Sequence, residues 1–235
     1  MYIESIETEP VFGIPYRYVG SGGRDVYGRV KVMETVLPVL RGTVSGLPEG
    51  LDGLVCTADL QGRWDGGGRN LLLGMVVPER LADALPGQFG MDPKRTGAIL
   101  AGDLFATLES RGGGGDVIPV WNEFRFEFAW VAGVAGNHDL FGSGEEDLER
   151  YGKTEGVHLL GSRSAEVEGL KLAGIHGIMG RKRKNFRTPP EVYLAALARL
   201  AKGKPDMVVL HSGPGIYEEK RVGDAEIRAV LEAAA

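Results

Sequence analysis

Ala129-Trp130-Val131-Ala132-Gly133-Val134-Ala135-Gly136-Asn137-His138-Asp139 is the stretch from which the rest of the chain is best read. Its first seven residues are apolar, small or β-branched, the pattern of a buried strand, and Gly136 allows the sharp turn at its carboxyl end. An amide, an imidazole and a carboxylate then emerge together. At the carboxyl edge of an open α/β sheet, where ligand sites collect, these side chains can face solvent, a metal or a substrate. The same tetrapeptide can equally be a polar loop capping the next helix, and alone it does not separate the two.

Working outward, three other apolar runs end in the same manner. Leu54-Val55-Cys56-Thr57-Ala58 delivers Asp59-Leu60-Gln61-Gly62, Gly97-Ala98-Ile99-Leu100-Ala101 delivers Gly102-Asp103, and Met207-Val208-Val209-Leu210 delivers His211-Ser212-Gly213-Pro214. Each is short and ended by Gly or a polar turn, as in strands buried on both faces. Asp, Asp, Asn-His and His are thus expected at one sheet edge, in chain order.

A chain of 235 residues is long enough for one large α/β domain, and no linker-like break divides it. It is read as a single domain, with residues 1–50 an amino-terminal extension packed upon it. A formal charge of -5 lacks the basic bias of dedicated nucleic-acid binders. The single Cys56 excludes an intramolecular disulfide, reads as a buried structural thiol within its strand, and fits a cytoplasmic setting. No apolar run has the length of a signal peptide or membrane span.

Between these landmarks the apolar spacing of Val30, Val32, Met33, Val36, Leu37 and Leu40 predicts an amphipathic helix over about 27–42. Arg63 to Gly68 reads as a mobile loop, followed by a helix over about 70–85. Arg63 and Trp64 there can reach a substrate, or form a surface loop around a half-buried Trp. Arg111-Gly112-Gly113-Gly114-Gly115 reads as a flexible turn, and Trp121, Phe124, Phe126 and Phe128 as core packing. Residues 157–160 and 165–172 read as strands of a second sheet, with His158 structural. The strand 171–175 leads to His176. Arg181-Lys182-Arg183-Lys184-Asn185-Phe186-Arg187 carries five positive charges, which suit either a solvated loop or local attraction of a polyanion. Thr188-Pro189-Pro190-Glu191 reads as a capping box with Pro at the first helical position, and Asp224-Ala225-Glu226 opens a last helix.

The ordered strand-end motifs resemble those of the calcineurin-like metallophosphoesterases over roughly residues 52 to 214. The resemblance implies an α/β fold, a four-layer α-β-β-α sandwich of two facing mixed sheets. It also implies two divalent ions drawn from Mn, Fe, Co, Ni and Zn, and hydrolysis of a phosphodiester or small phosphomonoester by a metal-bound hydroxide. By the same resemblance Asp59 binds the first ion, Asp103 bridges both, and Asn137 with His211 holds the second. His138 faces the phosphate and serves the departing oxygen. His176, Arg63, Arg181 and Arg183 are the substrate-side candidates, with a phosphate ester, nucleic acid among the options, as partner.

Departures from the family pattern shape these expectations. Gln61 stands where the family has a histidine ligand and is expected to join Asp59 and Asp103 on the first ion through its weaker amide oxygen, so that ion is expected to be loosely held. Ala106 and Thr107 occupy the Asp-Arg positions of the Ser/Thr protein phosphatases and argue against that class. The family's closing Gly-His-x-His strand is not found, since the four histidines are His138, His158, His176 and His211. The final strand is therefore expected to be missing and the site short of ligands, with one ion well bound, the gap being filled by water, ligand or a partner chain, or the chain being part of a longer protein. The alternative function is a weakened family member that binds metal or a phosphorylated ligand, or acts as a regulatory partner, without turnover.

Overall fold

The computed structural model describes residues 1–24, 26–181, 185–215 and 223–234. The chain opens with four strands, β1 (Tyr2–Ile6), β2 (Phe12–Arg24), β3 (Val30–Val39) and β4 (Gly42–Ser45). β1 pairs antiparallel with β4, and β2 and β3 form a long antiparallel hairpin with Phe12 opposite Val39 and Val19 opposite Val32. The amphipathic helix expected over 27–42 is therefore a strand. Its Val-rich set also satisfies a period of two, and Pro38 disfavours a helix interior. Leu37 and Val39 pack against the core, whereas Val36 on the opposite face is 56% exposed.

The next strand, β5 (Gly53–Thr57), runs to Asp59. Residues 63–72 then form a hairpin of β6 (Arg63–Gly66) and β7 (Arg69–Leu72), not a mobile loop and helix start. Gly67 and Gly68 lie at φ 61° and 75°, the left-handed geometry of a tight two-residue hairpin turn. β6 joins β2, giving the sheet order β3-β2-β6-β7. The helix expected from 70 begins only at α1 (Val77–Ala84), after a short 3-10 turn over Leu73–Met75.

The organising sheet is built from β5 together with β8 (Thr96–Leu100), β10 (Trp130–Gly133) and β12 (Val157–Leu159). Between them lie β9 (Gly115–Asp116), α2 (Ile118–Glu127), β11 (Asp139–Leu140) and α3 (Glu145–Tyr151). The order is β12-β10-β8-β5, all parallel, so the strands' carboxyl ends share one edge. β12 thus belongs to this first sheet and not the second, because the α3 crossover returns the chain parallel to β10. Every residue of β8 and β10 is buried, as expected. β5 is an edge strand, however, and Cys56 is exposed instead of buried.

The remaining elements are β13 (Arg163–Val167), β14 (Leu170–Ile175), β15 (Ile178–Met179), β16 (Arg187–Thr188), α4 (Pro190–Lys202), β17 (Met207–Leu210) and α5 (Ala225–Glu232). β13-β14-β17 is a mixed sheet, antiparallel then parallel. Pro190 is the first residue of α4, but no side chain caps the helix; Thr188 is paired with Met179 in β16, which removes it from the capping box. Asp224 does cap α5, accepting from the N–H groups of Glu226 and Ile227.

Three apolar clusters hold these elements. Ile99, Trp130 and Ala132 meet Leu170, Leu172 and Val209 in one, joining the two sheets. A second joins Ala98, Leu100 and Val131 to Leu81, Trp121 and Phe124 of α1 and α2, and a third joins Ala173 and Ile175 to Leu197 and Ile227 of α4 and α5. Each fully buried side chain of this size contributes roughly 2 kcal/mol of transfer free energy. Of the predicted aromatic set, Trp121, Phe124 and Phe128 are buried, while Phe126 is 71% exposed. Among the described residues no helix is long and apolar enough to cross a membrane.

Candidate metal centre

Asp59 follows β5 and Asp103 follows β8, each in a left-handed backbone conformation, φ 52° and 54°. Such a conformation costs an L residue on the order of 1 kcal/mol and persists only where surroundings enforce it. Here the Asp59 N–H donates to the Gly102 carbonyl (2.9 Å) and the Asp103 N–H to Asp139 Oδ2 (2.9 Å). The turns after β8 and β10 approach so closely that a Cβ on Gly136 would lie 2.0 Å from Asp103 Oδ1. Only glycine fits that contact.

Asp139 enforces the arrangement. It is fully buried, and besides Asp103 it accepts N–H bonds from Gly136 (2.7 Å) and Leu104 (2.7 Å). Burial raises its affinity for a proton, and the three backbone donors oppose that. The carboxylate expected to emerge at the site therefore points inward and positions both turns. It is a positioning residue that the motif contains and its spacing does not reveal.

Asp103, Asp59 and His211 come together, with one ligand atom of each within 4.8 Å of the others. Asp103 Oδ1 accepts the His138 N–H (3.0 Å), and Oδ2 accepts from Gln61 Nε2 (2.8 Å) and lies 3.4 Å from His211 Nε2. His211 Nδ1 donates to the Ala101 carbonyl (2.9 Å), which turns Nε2 toward the carboxylates. Burial works against charge on the His211 ring, but Asp103, the Ala101 carbonyl and Asp59 outweigh it and raise its pKa. For Asp103, burial is likewise outweighed, by His211 and His138, and the carboxyl stays below its usual range. Asp59 goes the other way: desolvation raises it and Asp103 adds to the rise, although the residue remains exposed on one side. Two carboxylates and an imidazole nitrogen within this reach fit a divalent cation by donor chemistry.

The other predicted residues are placed as follows. Asn137 is half-buried at the same edge, and its side chain makes no hydrogen bond to a described residue. His138 adjoins Gly112 and Gly114; a Cβ on Gly114 would stand 2.9 Å from the His138 carbonyl oxygen. The Gly-rich run expected as a free turn is thus a wall of the site, tied down where β9 pairs with β11. Arg63 is engaged by Asn70 and the Ala106 carbonyl, fastening the β6-β7 hairpin to the loop after Asp103. The long β2 strand reaches the segment after Asp59 through Tyr16, whose ring covers Gly62, and through an Arg17–Asp65 ion pair of 2.9 Å. His158 packs edge-on to Trp130. His176 Nδ1 accepts the Ala135 N–H (2.9 Å), behind the loop and outside the Asp59-Asp103-His211 cluster. Arg181 is exposed, while Arg183, with Lys182 and Lys184, lies outside the described residues. No protein-family model matches the chain, and no curated protein matches its sequence.

Proposed function

We propose that this chain is a metal-dependent phosphoesterase of the calcineurin-like metallophosphoesterase class, acting on a phosphodiester or a small phosphomonoester. The observation that carries the reading is the Asp103–His211 contact. The Nδ1–H of His211 is committed to the Ala101 carbonyl, so Nε2 is the ring atom that faces Asp103 Oδ2 at 3.4 Å, with Asp59 alongside. Two carboxylate oxygens and an imidazole nitrogen converging on one point are the donor set of a first-row divalent ion, which would take the place of the proton that otherwise joins His211 to Asp103. The three apolar clusters support the finer architecture, four layers running α1 and α2, first sheet, second sheet, α4 and α5.

Asp59, Asp103 and His211 hold the metal, Asn137 offers its amide beside them, and Gln61 orients Asp103 through its N–H. A divalent ion bound there supplies Lewis acidity and an activated water near neutral pH. His138, anchored through its N–H to Asp103 and walled by Gly112 and Gly114, protonates the departing oxygen. A second reading, a fold member that binds metal without turnover, is favoured by Gln61, whose amide turns its N–H and not its oxygen toward Asp103.

The test uses metal-free protein, added Mn²⁺ and the chromogenic diester bis(p-nitrophenyl) phosphate. Turnover should require the ion, and His138→Ala should lower it about 100-fold or more with metal content unchanged. Asp103→Asn should lose both metal and turnover. Metal uptake without turnover would select the second reading, and equal turnover in chelator would overturn the proposal.

A further inference from the structure

A cavity of about 890 Å³ opens beside the segment that follows Asp139, within the roughly 300–1,000 Å³ typical of small-molecule sites. None of Asp59, Asp103 and His211 lines it. Lys153, Arg163 and Arg187 do, and the side chains of all three have no hydrogen bond or ion pair with any described residue. Glu145 and Glu149 also reach the lining, so among the described residues three cations face two carboxylates. The described lining thus carries one net positive charge, which suits an anionic group. Apolar wall is supplied by Leu140, Phe141, Leu148, Leu159 and Phe186.

His176 adds a directional donor. Because its Nδ1 accepts the Ala135 N–H, the ring proton sits on Nε2, and that N–H has no described acceptor. Burial, with Arg163 nearby, pushes the ring's pKa down to about 4, so at neutral pH it is an uncharged donor and not a fourth cation. It lines the cavity, where a ligand or water can accept from it.

We propose that this cavity binds a small organic anion, its apolar body against Leu148, Leu159 and Phe186, and one phosphate, phosphonate or carboxylate group held by Arg163, Arg187 and the His176 Nε2–H. The site does not depend on a metal. It does touch the metal loop, since Ala135 donates to His176, accepts the Gly177 N–H (2.7 Å), and directly precedes Gly136.

The experiment is equilibrium dialysis of phenylphosphonate, whose C–P bond resists hydrolysis, against full-length protein freed of metal and then of chelator. One molecule should bind per chain, and methylphosphonate, which keeps the charge and lacks the ring, should bind at least about tenfold more weakly. Arg163→Gln and Arg187→Gln should each weaken phenylphosphonate by about tenfold or more, the usual loss of a charge-assisted hydrogen bond. Arg181→Gln, an exposed residue outside the lining, should leave binding unchanged. No binding at about 10 mM ligand would overturn the proposal. So would equal affinity for the two phosphonates, or an Arg181→Gln loss as large as the other two, which would mark diffuse charge attraction. Because the protein is metal-free throughout, the result stands or falls apart from the phosphoesterase reading.

Discussion

Asp139 Oδ2 accepts N–H bonds from Asp103 at 2.9 Å and Gly136 at 2.7 Å, and its Oδ1 accepts one from Leu104 at 2.7 Å, so a single buried carboxylate joins the turns after β8 and β10. Asp139→Asn replaces one acceptor oxygen with an NH₂ group and leaves at least one of those donors unpaired. It should lower stability to urea by about 1–3 kcal/mol and metal affinity by about 10- to 100-fold. A variant as stable as the parent would show the clamp to be dispensable. His176 gives a second prediction. Its folded pKa, pushed down to about 4, lies below the ordinary 6.5, so the unfolded chain takes up this proton first as pH falls. The contribution is fully present above 6.5 and declines as pH drops from 6.5 toward 4, by at most about 3 kcal/mol. His176→Asn keeps an acceptor for the Ala135 N–H and removes the titration, so its loss of urea stability between pH 7 and pH 4.5 should be smaller than the parent's. Equal losses would contradict the assignment. The residue types at the strand ends are legible in short motifs, whereas the inward turn of Asp139 and the pairing of His211 with Ala101 depend on residues 36 and 110 positions away.

At the scale of elements, the four strands that end in Asp59, Asp103, Asn137 and His211 follow from apolar runs bounded by turns. β3 does not, because Val, Met and Leu at its positions satisfy helical and strand periods alike, and the choice rests with the partner strand β2. The β6-β7 hairpin depends on Gly67 and Gly68 at positive φ. A Cβ on Gly68 would meet nothing within 4 Å, so Gly68→Ala isolates backbone strain and should destabilise by about 1 kcal/mol. Gly50 is equally open but is not at positive φ, and Gly50→Ala should be neutral or stabilising by up to about 1 kcal/mol. Urea unfolding of the two variants measures both; matching effects would show that the turn geometry carries no strain. Thr188 illustrates the opposite limit, since a capping signal read locally yields to pairing with Met179.

For the whole molecule, an ion that binds only the native state adds RT ln(1 + [ion]/Kd), about 2.7 kcal/mol at a hundredfold excess over Kd. For a chain of this size that is a rise of several degrees in the thermal midpoint, which Mn²⁺ should produce in the parent and Asp103→Asn should largely abolish. An unchanged midpoint in the parent would argue against a native ion site. The sequence by itself determined the mixed α/β class, the strands that carry the candidate ligands and the chemical types at their ends, because these are local: periodicity over a few residues and a turn at Gly or Asp. Tertiary structure alone decided that β12 joins β10, that β5 lies at an edge with Cys56 exposed, and that the Gly112–Gly115 run walls His138. It also decided that Lys153, Arg163, His176 and Arg187 surround one cavity. Those outcomes depend on which surfaces meet across long stretches of chain, and the burial and hydrogen-bond satisfaction that select them are properties of the assembled layers and of no single segment.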